Sequence, residues 1–149
     1  MKLRYLFFIP LFLLTISFHT ESALANNSTE FDNSDTLEIQ NIIKRQINAF
    51  TQNDYKTAYT YASDEIKNIF TDEKIFKNMI ISGYSILINS KNIIFEKPMV
   101  LDKSMVAQKV KIIGLNNFEV YAVYTVIKNT QQQWRIAGCV LIKNEEIAA

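Results

Sequence analysis

The stretch Phe118-Glu119-Val120-Tyr121-Ala122-Val123-Tyr124-Thr125-Val126-Ile127-Lys128 decides the fold. It is rich in β-branched and aromatic residues and lacks Gly and Pro, the composition of a strand inside a sheet. Alternate residues fall on two faces. One face carries Phe118, Val120, Ala122, Tyr124 and Val126, and the other carries Glu119, Tyr121, Val123, Thr125 and Ile127. Neither is clearly polar, so both faces of this strand need cover.

Similar runs lie on either side. Residues 105–113 precede it across Asn116-Asn117, and residues 133–143 follow it across Asn129 to Gln132. Such short polar connections predict an antiparallel meander. A further strand is predicted over residues 93–97, ahead of Pro98. Upstream, the period changes from 2 to 3.6. Ile39, Ile42, Ile43, Ile47 and Phe50 predict a first amphipathic helix. Asp35 is expected to cap its start, with Glu38 completing a capping box. Tyr55, Ala58, Tyr59 and Ala62 mark a shorter second helix after Asn53-Asp54, and Ile66, Ile69 and Phe70 one further turn. Thr71-Asp72 caps a third helix with the face Ile75, Phe76, Met79 and Ile80, stopped at Gly83. Helices gathered before strands define an α+β class, here three helices packed on one face of a strongly bent, four-stranded, mainly antiparallel sheet.

The N-terminus reads as an address. Lys2 and Arg4 precede the apolar run Leu6 to Phe18, and Ala23-Leu24-Ala25 supplies an A-x-A site, the pattern of a secretory signal peptide cleaved after Ala25. The run is shorter than the ~20 residues a span requires, so no permanent membrane span is expected after cleavage; an uncleaved anchor is the alternative. Residues 26–34 form a polar leader expected to be disordered, residues 35–143 a single domain, and residues 144–149 a tail. The destination is the periplasm or the exterior.

Composition then narrows the chemistry. The 149 residues carry 16 Lys+Arg against 15 Asp+Glu, with one His and one Cys. This near balance lacks the basic footprint of a nucleic-acid binder. Removal of residues 1–25 takes away His19 and leaves 14 basic and 14 acidic residues. Histidine-dependent triads, His-ligated metals and histidine pH switches lose an obligatory part, and no cofactor or metal site is expected. Cys139 has no internal partner for a disulfide, and its expected role is structural.

Tyr61-Ala62-Ser63 with Ile66, Phe70-Thr71-Asp72-Glu73 with Phe76 and Met79, Gly83-Tyr84, Gln108-Lys109-Val110, Tyr124, and Trp134-Arg135-Ile136-Ala137-Gly138-Cys139 follow one another in an order and spacing that resembles the bacterial family called domain of unknown function 4864, over residues 38–143. The ending from Trp134 to Cys139 is the most specific part. The resemblance implies membership of the nuclear transport factor 2-like superfamily, a cone-shaped α+β roll whose bent sheet wraps around helices and often leaves a pocket. It implies no reaction. The Asp-Gly turns common in such domains are replaced here by Asn116-Asn117 and Gln131-Gln132-Gln133, and no proline follows Gly83-Tyr84.

Five residues are candidates for a pocket between helices and sheet: Tyr84, Gln108, Tyr121, Tyr124 and Arg135. Gln108 is a polar group in the apolar row of Val106, Val110 and Ile112, and a buried amide needs partners. Arg135 could hold a carboxylate in bidentate fashion, or pair with Glu119 across the neighbouring strand. Trp134 is expected to fill the core, and Gly138 to permit a bend of the last strand. The expected function is a non-enzymatic binding or accessory module for a small apolar or carboxylate-bearing ligand. A pocketed isomerase or hydrolase is the first alternative, using a Tyr as oxyanion donor and a carboxylate such as Glu119 as base. The second is a protein-interaction module using the open sheet face. That uncovered face also predicts a homodimer.

Overall fold

A computed structural model of the chain describes residues 31–142. The expected signal peptide with its Ala25 site, residues 26–30 of the expected leader and the tail 144–149 lie outside the described residues.

Helix α1 (Asn33–Thr51) begins earlier than the sequence predicts. Asp32, not Asp35, is the cap: its Oδ1 accepts from Ser34 N at 2.7 Å and Asp35 N at 3.0 Å. Asp35 occupies the third position of the box and accepts from Asp32 N at 3.2 Å. Asn33 and Ser34 of the expected leader are therefore helical. Phe31 packs edge-on against Trp134, with ring centroids 6.3 Å apart. The shift has a tertiary cause. Asp35 Oδ1 accepts from Trp134 Nε1 at 2.8 Å and Lys128 Nζ at 3.0 Å, which pins the first turn of α1 to the sheet.

The helical half contains five segments where three were expected. The first three breaks are each recapped by a short polar side chain satisfying a free N–H. Asp54 accepts from Thr57 N ahead of α2 (Tyr55–Thr60), Ser63 from Ile66 N ahead of α3 (Asp64–Ile69), and Asp72 from Ile75 N ahead of α4 (Glu73–Gly83). The single turn α5 (Ser85–Ile88) has no side-chain cap. It had no sequence signal of its own. Its Leu87 reaches the core.

The strands are β1 (Ser90–Phe95), β2 (Met99–Asp102), β3 (Met105–Gly114), β4 (Glu119–Lys128) and β5 (Trp134–Ile142). They form an open, antiparallel five-stranded sheet in the order β1-β3-β4-β5, with β2 also pairing with β3. Four strands were expected, and β2 is the addition. Since β1 pairs with residues 110–114 of β3 and β2 with residues 105–107, the two lie end to end along one edge, broken around Pro98. Proline cannot donate to a ladder, which accounts for the interruption. The two hairpins place Asn117 and Gln132 at φ 60° and 61°, the left-handed positions where Gly was missed in the sequence.

The helices cover the face that bears Val106, Gln108, Val110 and Ile112 of β3 and Val120, Ala122, Tyr124 and Val126 of β4, all buried. Phe118, placed on this face by simple alternation, precedes β4 and is exposed. On β5 the alternation changes phase. Val126 pairs with Ile136 and Thr125 with Gly138, so Ala137 is an extra, bulged residue. Trp134 and Ile136 are buried, whereas beyond the bulge Cys139 and Leu141 pack on the core and Val140 is 63% exposed. Uninterrupted alternation along β5 would instead set Val140 and Ile142 on the face of Trp134.

Candidate functional site

A chamber of about 270 Å³ lies between the helices and the outer edge of β5. Its walls are apolar: Phe50 from α1, Ile66 and Phe70 around α3, Phe76 and Met79 from α4, and Ile136 from β5. Two small residues bound it. Ala62 lies beside Ile136, where Ser63 N donates to Ile136 O and Ile136 N to Tyr61 O, each at 2.9 Å. Gly138 follows the bulge and also lines the chamber. The helical segment thus crosses β5 on an alanine, and the strand continues through a glycine, where larger side chains would occupy space.

Three polar side chains face this space: Gln46, Tyr84 and Cys139. Gln46 is 4% exposed, and its Nε2 donates to Ala58 O at 3.1 Å. The Tyr84 hydroxyl donates to Cys139 O at 2.8 Å on the free edge of β5. Burial, reinforced by the neighbouring Cys139, raises the Tyr84 pKa above its ordinary value. Burial pushes the Cys139 thiol up to about 12, the adjacent Tyr124 hydroxyl offsetting only part of it. Both groups are protonated at neutral pH. No lining side chain is charged, so the chamber is electrically neutral.

Of the five residues singled out from the sequence, the fold brings only Tyr84 to this chamber. Tyr124 is fully buried behind it, where burial holds its pKa well above the usual phenol value. Its hydroxyl has no hydrogen-bond partner, its titratable neighbours being Cys139 and Tyr84. Gln108 is also fully buried, but it turns away to the β1 edge: Nε2 donates to Glu96 O at 2.7 Å and Lys109 O at 2.9 Å, while Oε1 is unpartnered. Tyr121 belongs to the outer face of the sheet, with Lys109 Nζ 4.1 Å from its ring centroid. Arg135 donates to Trp134 O and to Gln133 Oε1, not to a carboxylate. Antiparallel register puts it opposite Ile127, at the far end of β4 from Glu119, which pairs with Lys111 at 3.0 Å.

The expected closure of a pocket by Gln108 and the sheet tyrosines is therefore not formed, because these side chains are divided between two faces and two edges. Nor does the fold assemble the tyrosine-carboxylate pair of the enzymatic alternative here. Glu119 and Tyr121 share the outer face, and no Asp or Glu lines the chamber. Gln46 escaped the sequence reading although a signal was present. It sits at i+7 from Ile39 and i+4 from Ile42, on the apolar stripe of α1.

A second, open groove of about 640 Å³ between α1 and β1 is polar, with Lys44, Arg45 and Lys91 at its rim. Among the described residues there is no cluster of three or more His, Cys, Asp or Glu side chains able to hold a metal, and no helix long and apolar enough to cross a membrane.

Fold and site define an α+β domain with helices on one face of an open antiparallel sheet and a neutral, apolar chamber beside the last strand. The chain belongs to the family described as a domain of unknown function, DUF4864, whose sequence model matches residues 32–149. No curated protein and no solved structure matches the chain.

Proposed function

We propose that this protein is an exported, non-enzymatic binding module that takes a small apolar ligand into the chamber between helices and β5. The observation that carries this reading is the chamber itself, about 270 Å³ bounded by aromatic and aliphatic side chains with a few polar atoms, the usual make-up of a small-molecule site. The chamber holds no nucleophile-base pair, which favours binding over turnover. Helices on one face of an open, bulged antiparallel sheet also support a nuclear transport factor 2-like roll. A carboxylate-bearing ligand is disfavoured, since Arg135 lies elsewhere.

A thermal-shift panel of small apolar molecules and envelope lipid extracts tests the binding role. A ligand at 100 times its Kd stabilises by about 2.7 kcal/mol, which raises Tm by roughly 10 °C in a domain of this size. No shift across the panel, together with a crystal structure showing a solid interior, would overturn it. Export rests on the pattern of residues 1–25. Mass spectrometry of the native protein should find Asn26 as its first residue, and an intact Met1 start would refute cleavage.

The outer sheet face favours a second role, self-association. Tyr121, Val123 and Ile127 of β4 lie there in a row, beside Val140, which is 63% exposed. A homodimer through this face would cover the side of the sheet that the helices leave open.

A further inference from the structure

We propose that the chamber selects a neutral, largely apolar molecule carrying one hydrogen-bond donor, an alcohol, phenol or amide N–H, and that Gln46 Oε1 receives that donor. The proposal rests on the binding role above and specifies its chemistry. The carbonyl of Ala58 can only accept, so the Gln46 amide must present its NH2 to it at 3.1 Å. The amide oxygen is then left on the other side. It accepts no hydrogen bond among the described residues, yet it belongs to a side chain that is 4% exposed and lines the chamber. Unlike Gln108 Oε1 and Tyr124 Oη, which are fully enclosed without partners, this oxygen keeps some accessible surface, so a donor brought by a ligand can reach it.

Tyr84 repeats the logic. Its proton is directed to the Cys139 carbonyl at 2.8 Å, which leaves the phenolic oxygen as a further acceptor. The Cys139 thiol is at most a weak donor. The side chains facing the chamber therefore offer two oxygen acceptors, Gln46 Oε1 and Tyr84 Oη, against one remaining strong donor, the second N–H of Gln46. A ketone, ester or ether finds only that single N–H, whereas a hydroxyl or N–H on the ligand has two oxygens to receive it. An ionised ligand meets no counter-charge among the lining residues and loses its hydration on entry. Size sets the remaining limit. An apolar cavity of about 150 Å³ accommodates benzene, so about 270 Å³ accommodates a bicyclic body or a medium-length alkyl chain.

Calorimetric titration of the purified protein with 1-naphthol, naphthalene and 1-naphthoate tests this. The hydroxyl of 1-naphthol is strongly hydrated in water, so its advantage over naphthalene appears only if an acceptor receives it. The expected order is 1-naphthol tighter than naphthalene by about 3- to 10-fold, and 1-naphthoate at pH 7.5 weaker than 1-naphthol by about 100-fold or more. Gln46→Leu should abolish the preference for 1-naphthol over naphthalene while leaving naphthalene bound. Should that variant fail to fold, the wild-type order of the three probes decides alone. Binding of 1-naphthoate as tight as that of 1-naphthol, or of naphthalene equal to 1-naphthol, overturns the donor assignment and leaves the chamber standing as a site. Binding of none of the three overturns both.

Discussion

Asp35 shows how much one side chain can join. It completes the capping box of α1, accepts from the indole of Trp134 at the start of β5, and pairs with Lys128 at the end of β4. The side chains of Lys128 and Asp35 are only 10% and 13% exposed, so the pair is much less screened than a surface ion pair. Burial by itself would raise the Asp35 pKa. The hydrogen bonds from Trp134, Lys128 and Asp32, with the Lys128 charge, outweigh it and hold the pKa below the usual 3.8. A carboxylate with a depressed folded-state pKa contributes its full stability above the unfolded value and loses it as pH falls through the folded one. Asp35→Asn should therefore cost about 2 kcal/mol near neutral pH, since it leaves Lys128 without its partner. The difference from the wild type should shrink steadily as pH falls below about 4. Urea denaturation of both proteins at pH 7, 4 and 2.5 measures this, and a gap unchanged at pH 2.5 would contradict it.

Among the elements, β5 carries the most consequence. Its bulge at Ala137 reverses which residues face the helices, and so brings Cys139 to the chamber and Leu141 to the core. Its free edge is closed in part by the Tyr61–Ser63 segment and in part by the Tyr84 hydroxyl on Cys139 O. Edge closure of this kind removes a template for pairing with another chain. The phase change predicts opposite sensitivities at adjacent positions. Leu141→Ala should cost about 1–2 kcal/mol for a half-buried leucine, and Val140→Ala less than about 0.5 kcal/mol. Uninterrupted alternation requires the reverse order, so denaturation midpoints of the two variants separate the alternatives. The same scale explains the α1 start. Asp35 and Glu38 have the spacing of a capping box, and so do Asp32 and Asp35 with a shorter acid; contact with Trp134 and Lys128 selects the second.

The whole molecule has two differently finished sides. Helices cover one face of the sheet, and the other keeps Tyr121, Val123, Ile127 and Val140 near solvent, with Lys109 and Lys111 held by Glu96 and Glu119 at 3.4 and 3.0 Å. A dimer through this face predicts that Val123→Glu lowers the mass measured by sedimentation equilibrium to that of a monomer without altering the far-ultraviolet circular dichroism. A monomeric wild-type protein at micromolar concentration would exclude the dimer. The chamber lies on the helical side of the sheet, so such a dimer leaves it open to a ligand.

Periodicity alone determined the α+β class, the long strands β3, β4 and β5, the first helix and its recapped successors, and the burial of Gln108 and Trp134, because amphipathic spacing records burial directly. The same spacing holds a signal for Gln46, at i+7 from Ile39, that the reading of the apolar stripe passed over. Only the tertiary structure decided which polar groups meet. A strand pattern tells which residues share a face but not which edge they approach, so Gln108, Tyr121 and Arg135 looked convergent and are dispersed. The bulge at Ala137 was hidden for a related reason. An extra residue changes the phase of every side chain after it, and its position is set by pairing with β4, not by the residues of β5 themselves.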